Sequence, residues 1–278
     1  MSDTAPNPCS PCGKCCRSYI VPVSGYDIWR ICRGQQLAPQ NFLVAIPVEE
    51  QVTGLFQLQA GGANFALLLD KRGPFKRTQP CVFLMELGEG YSSCGIYADR
   101  PITCRTYPMV IWDRALSLGT NALCPPGAWA PREVARPSWR THLQRAHLDF
   151  DLYHEVVARW NARVAARTHL TFGLPDYYSY LLNVYDRLAA LNATLGDPAL
   201  DRAVADWPTP PRQGLGKHER PADPATRPWL AYFLQVQAII DSFYPDLPSQ
   251  PSAALQAGEW LPAYGQSADV ARPKSVTS

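Results

Sequence analysis

The run Cys9-Ser10-Pro11-Cys12-Gly13-Lys14-Cys15-Cys16 sets four thiols within eight residues, a density that no ordinary hydrophobic core requires. Thiolates are soft ligands that select zinc, copper(I) or iron–sulfur clusters, and a C-x2-C turn lets two sulfurs face one centre without strain. Pro11 and Gly13 supply turn chemistry inside the run and keep the backbone close to whatever is bound. The first constraint on this chain is therefore a cysteine-bound metal.

The remaining cysteines fit that constraint. Leaving out Cys32, which falls on the apolar face of a helical pattern as a small hydrophobe would, eight remain: Cys9, Cys12, Cys15, Cys16, Cys81, Cys94, Cys104 and Cys124. Two four-cysteine zinc sites, two 4Fe-4S clusters or one shared multinuclear centre would each use the full set. Adjacent Cys15 and Cys16 are expected to point their side chains apart, toward different metals or opposite sides of one cluster. Structural zinc more typically shows two C-x2-C pairs. The C-x2-C-x2-C run with a distant Cys124-Pro125 is closer to the bacterial ferredoxin pattern, so spacing leans toward an iron–sulfur cluster, 4Fe-4S in type. Arg100 and Arg105 lie beside the ligands in sequence and are expected to offset thiolate charge, with Lys14 and Arg17 more remote candidates.

Composition narrows the setting. Net charge is +2 over 278 residues, which gives no field for nucleic acid. No window approaches the ~20 apolar residues of a membrane span, and Met1–Pro8 has no apolar stretch of the kind that opens a secretory signal. The expected setting is the cytoplasm, where clustered cysteines bind metal more often than they form disulfides.

The pattern along the chain predicts an α+β fold: a small metal-stapled, cysteine-rich domain of short helices and β-hairpins over 1–130, then a helical extension over 131–246. A Pro-rich linker is expected at about 207–227 and a mobile tail over 247–278. Arg17–Val23 reads as an extended segment. Ser24 with Asp27 reads as a capping box that opens a helix to about Leu37, and Pro39 as the start of a second short helix carrying Phe42 and Leu43 to near Pro47. Leu55–Leu58 and Phe65–Leu69 around Gly61-Gly62 read as a hairpin, Lys71–Lys76 as a charged turn, and Val110–Trp112 with Leu116–Leu118 as another hairpin. Asp99-Arg100-Pro101 fits the start of a short helix that projects Cys104 and Arg105 together. Apolar spacing predicts long helices from about Ser138 to Arg167, from Pro175-Asp176 to Leu191, and over Trp229–Phe243. His147 and His154 fall on the apolar face of the first of these, where a core histidine is the expected role.

Taken together, Cys9-x2-Cys12-x2-Cys15-Cys16, Pro80-Cys81-Val82-Phe83-Leu84 and Cys94-Gly95-Ile96-Tyr97-x2-Arg100-Pro101-x2-Cys104-Arg105-Thr106-Tyr107-Pro108 resemble the YkgJ-type CxxCxxCC cysteine-cluster family over roughly residues 7–127. The resemblance implies zinc or iron chelation by the eight cysteines. A bacterial flagellin lysine methylase carries a similar cysteine set, which keeps a methyltransferase-like enzyme open. The other alternative is a zinc-stabilised module that contacts a protein partner. No nucleophile or general base stands out in the sequence, and no Gly-rich phosphate loop or His-Glu-x-x-His run appears.

Overall fold

The computed structural model describes residues 12–49, 54–76, 78–88, 91–112, 115–120, 122–124, 129, 138–205 and 228–248. Cys9, the Pro-rich stretch at 207–227 and the tail beyond Pro248 lie outside them. The fold is α+β, as the sequence predicts, and among the described residues helices predominate beside three small antiparallel sheets.

The chain enters through α1 (Lys14–Ser18), preceded by Gly13 in the left-handed region at φ 64°. This helix replaces part of the predicted extended segment. Five residues are too few for an apolar period, so nothing local distinguishes such a turn from a strand. Helix α2 (Gly25–Gln35) opens with the predicted capping box: the Asp27 amide donates to Ser24 Oγ at 3.2 Å, and the Ser24 amide donates to Asp27 Oδ2 at 3.1 Å.

The helix predicted from Pro39 is only a 3-10 turn, Pro39–Asn41, and the chain then runs into β1 (Leu43–Val48). Pro47, which suggested a helix stop, sits in that strand opposite Phe65. It is tolerated because β1 lies at the edge of the sheet, in the order β1-β3-β2 with β2 (Phe56–Gln57) and β3 (Asn64–Leu69). β2 and β3 form the predicted hairpin, with Phe56 opposite Phe65. β4 (Leu84–Gly88) pairs with β5 (Tyr91–Cys94), then α3 (Ile102–Thr106) follows, and β6 (Met109–Trp112) pairs with β7 (Ala115–Leu118).

The second half is helical: α4 (Ser138–Ala166), α5 (Leu174–Leu195), α6 (Asp197–Ala205) and α7 (Pro228–Asp241). Helix α6 has no counterpart in the sequence reading. One continuous apolar core joins these helices to the cysteine-bearing half, running from Val21 and Ile28 through Phe56 and Trp160 to Phe233 and Tyr244. Trp160 is its centre, fully buried, with its ring 5.2 Å from Tyr177 and 5.3 Å from Phe172. Its indole N–H donates to the Gln57 carbonyl at 2.7 Å, so the largest apolar side chain also satisfies a strand carbonyl. Asn161 completes the junction, donating to the Leu55 carbonyl and accepting from the Gln57 amide. On the other side, α2 lies against α5. Gly25 is required there, because a Cβ would stand 2.1 Å from the Tyr185 ring, and the Trp29 indole donates to Asp186 at 2.8 Å.

Candidate metal centre

Four separate segments bring cysteines to one place. Helix α1 supplies Cys15 and Cys16, the loop before β4 supplies Cys81, the end of β5 supplies Cys94, and α3 supplies Cys104. The backbone fixes their mutual positions. The Cys81 amide donates to the Cys16 carbonyl at 2.9 Å, Cys81 forms an isolated bridge with Lys71, and Cys94 stands opposite Leu84 across the β4–β5 ladder. Gly13 lets α1 approach β5, since a Cβ at this position would come within 2.8 Å of Ser92. Arg17 then spans the same gap, donating to Ser92 Oγ and pairing with Glu86 at 2.6 Å.

Helix α3 is held from the opposite side by α2. The Ile102 amide donates to Asp27 Oδ1 at 2.8 Å, Arg30 donates to the Arg100 carbonyl, and Gln35 donates to Asp99 at 2.6 Å. Asp27 is 1% exposed, and desolvation pushes its carboxyl up to about 6, with the Arg30 charge opposing that shift. A buried carboxyl thus anchors the helix that carries Cys104.

The sulfurs of Cys15 and Cys16 lie 3.9 Å apart. The expectation that neighbouring cysteines would point away from each other is therefore corrected: a five-residue helix directs both toward the same side. The Cys15 thiol is driven far up, first by its hydrogen bond with Cys16 and then by burial. Burial raises Cys104 strongly, and the charges of Cys81, Cys15 and Cys94 add to it. Cys81 is raised by burial and by Cys94, against Lys71 and Arg72; Cys94 is raised by burial and by Cys15, against Arg100. Each of these thiols acts electrostatically on at least one other, so they lie in one neighbourhood.

Among the described residues no three of His, Cys, Asp or Glu already stand in metal-holding geometry. The donor set still fits a thiophilic metal. It consists of partly or wholly buried sulfurs; burial, and neighbouring thiols after it, favours the thiol forms of Cys81, Cys94 and Cys104, and a bound cation would favour their thiolates. Cys12 precedes α1, half-buried. Cys124 is half-buried beside Tyr107, whose ring meets Tyr19 edge-on at 5.3 Å. Cys32 is buried elsewhere, pushed up to about 11 by desolvation with Arg33 as its charged neighbour.

The two arginines part company. The charge of Arg100 reaches Cys94 and Cys104, and its guanidinium lies 3.8 Å over the Tyr97 ring. Arg105 instead has Asp149 and Arg145 of α4 as its charged neighbours, because successive residues on a helix diverge by about 100°. The cation that the sequence reading missed is Lys71. It is 3% exposed, and its ammonium donates to the carbonyls of Cys16 at 3.1 Å and Tyr19 at 2.7 Å. Burial lowers its pKa, while the charges of Cys81, Cys16, Cys104 and Cys15 oppose that.

Residues 8–125 match the model of a family named CxxCxxCC, described as a putative zinc- or iron-chelating domain. This part of the chain is thus similar to the CxxCxxCC domain. The match spans every cysteine from Cys9 to Cys124 and ends before α4. Neither the curated proteins nor the solved structures provide a match. The matched segment packs against α4 and α5 of its own chain. Among the described residues no helix is long and apolar enough to cross a membrane.

Proposed function

We propose that Cys15, Cys16, Cys81, Cys94 and Cys104, with Cys9, Cys12 and Cys124 as further ligands, bind zinc or iron in a thiolate centre that staples the CxxCxxCC domain. The observation that carries this reading is the proximity of five thiols from four chain segments: Cys15 and Cys16 sulfurs stand 3.9 Å apart, the Cys81 amide binds the Cys16 carbonyl, and Cys94 and Cys104 are reached by the charge of Cys15. Such segments gain most from a cross-link, and a structural thiolate site contributes folding free energy on the order of 10 kcal/mol. A reducing cytoplasm suits a centre of this kind.

Two forms of the centre each have support. The C-x2-C-x2-C run and the eight cysteines other than Cys32 favour an iron–sulfur cluster, which would add electron transfer to the structural role. The 3.9 Å between the Cys15 and Cys16 sulfurs favours a single ion: two 2.3 Å bonds at the tetrahedral angle separate their sulfurs by roughly 3.8 Å. With zinc, the domain becomes a folded platform for a protein partner. Elemental analysis and a visible spectrum on protein purified without oxygen decide between them. Iron with acid-labile sulfide and a broad absorption near the violet end supports the cluster; colourless protein with stoichiometric zinc supports the platform; protein lacking both metals refutes the proposal.

A further inference from the structure

Lys71 follows β3 and is drawn inside the protein by the bridge it makes with Cys81. Its ammonium is held by two main-chain carbonyls, and among the described residues no carboxylate pairs with it. Carbonyls orient an ammonium without neutralising it. A buried ammonium with no counter-charge is strongly unfavourable, so a lysine at 3% exposure keeps its charge only where negative charge stands nearby. The ionisable groups placed to supply it are cysteines: Cys81 pairs with Lys71 across an isolated bridge, Cys16 provides one of the two carbonyls, and the charges of Cys15 and Cys104 also reach it. One carbonyl that holds the ammonium belongs to Cys16 itself, so the lysine is tethered to the chain segment that carries two of the thiols.

Resting on the metal-binding reading above, we infer that Lys71 is the internal counter-ion of the metal centre, and that the centre it serves carries net negative charge. A divalent ion bound by three or four thiolates has net charge of −1 or −2, and a cluster held by four thiolates is likewise anionic; a divalent ion bound by two thiolates and neutral ligands is not. Lys71 therefore selects the charge state of the site. It is a positioning and charge-balancing residue, and the thiolates remain the ligands.

The test uses the full chain, stripped of metal under reducing conditions and titrated with zinc against a chromophoric chelator, and with cobalt(II) as a spectroscopic probe. Lys71→Met removes the charge at similar volume, Lys71→Gln keeps a donor without charge, and Lys71→Arg keeps the charge. Zinc affinity is expected to fall roughly 10- to 100-fold in the Met and Gln variants, the range for groups that support metal ligands, and by much less in the Arg variant. The wild-type cobalt spectrum is expected to show sulfur-to-metal charge transfer from three or four thiolates. The inference is overturned if Lys71→Met or Lys71→Gln binds zinc as the wild type does, or if all three variants weaken equally, which would assign the effect to packing around the site and not to charge. A cobalt spectrum with two thiolates or fewer also overturns it, and that readout stands even where a variant fails to fold. Wild-type protein that binds neither metal fails the underlying metal reading instead.

Discussion

Replacing Asp27 with alanine should uncouple α2 from the helix that carries Cys104. The carboxylate accepts from the Ser24 amide, the Ser24 hydroxyl, the Ile102 amide at 2.8 Å and Arg30 at 3.2 Å. Truncation leaves two buried main-chain amides without acceptors, at about 1–3 kcal/mol each, and removes half of the capping box. The desolvation that the carboxylate itself suffers offsets part of this, so a net loss of about 3 kcal/mol is expected. For a chain of this size that is about 6–12 °C in Tm. The sign of the pH dependence follows from the same geometry. Because burial lifts the Asp27 carboxyl to about 6, above its ordinary value, its contribution is fullest below the usual carboxylate range and declines as pH rises through 6. Denaturant unfolding of wild type and Asp27→Ala at pH 5 and pH 8 should therefore show a wider gap at pH 5. Asp27→Asn, which keeps an acceptor for Ile102, should lose less. A loss under 1 kcal/mol for the alanine variant, or a gap that widens toward pH 8, refutes the role given to this residue.

Other outcomes follow from the same structure. Burial holds the His154 imidazole down to about 4, so its contribution is present above the ordinary histidine range and is lost as pH falls from about 6.5 toward 4; His154→Gln should flatten that part of the stability profile, and an unchanged slope would contradict it. Cys32→Ala should leave metal content unaltered while costing about 1 kcal/mol of stability, whereas Cys104→Ser should lose metal; elemental analysis of the two variants separates them. Gly54 sits at φ 80° with the His154 ring where a Cβ would stand, 2.5 Å from Cδ2, so Gly54→Ala should lower Tm by several degrees in a thermal melt.

Much of the fold is legible in the sequence where a local rule and the tertiary structure agree. Ser24 and Asp27 announce α2, Gly61-Gly62 announces the β2–β3 hairpin, and the apolar spacing of Leu143, Phe150, Val157 and Trp160 announces α4. Failures occur where tertiary structure overrides a local rule. Pro47 is a helix stop in isolation but an acceptable residue on an edge strand, and only the sheet order reveals that edge. Sequence proximity placed both Arg100 and Arg105 beside the ligands, yet the turn of α3 carries Arg105 to Asp149. Lys71 resembled any lysine in a charged turn, because the carbonyls that hold it come from residues 52 and 55 positions earlier in the chain. The cysteines themselves were legible through spacing alone, whereas the convergence of Cys15 with Cys16 needed the helix that sequence could not supply.

The most direct test of the metal centre is X-ray absorption at the edge of whichever metal the purified chain retains. Sulfur at about 2.3 Å is expected to dominate the metal's nearest neighbours in the wild type and to disappear in Cys104→Ser. A shell of only nitrogen and oxygen at about 2.0–2.2 Å would contradict it, because the thiols would then not be the ligands.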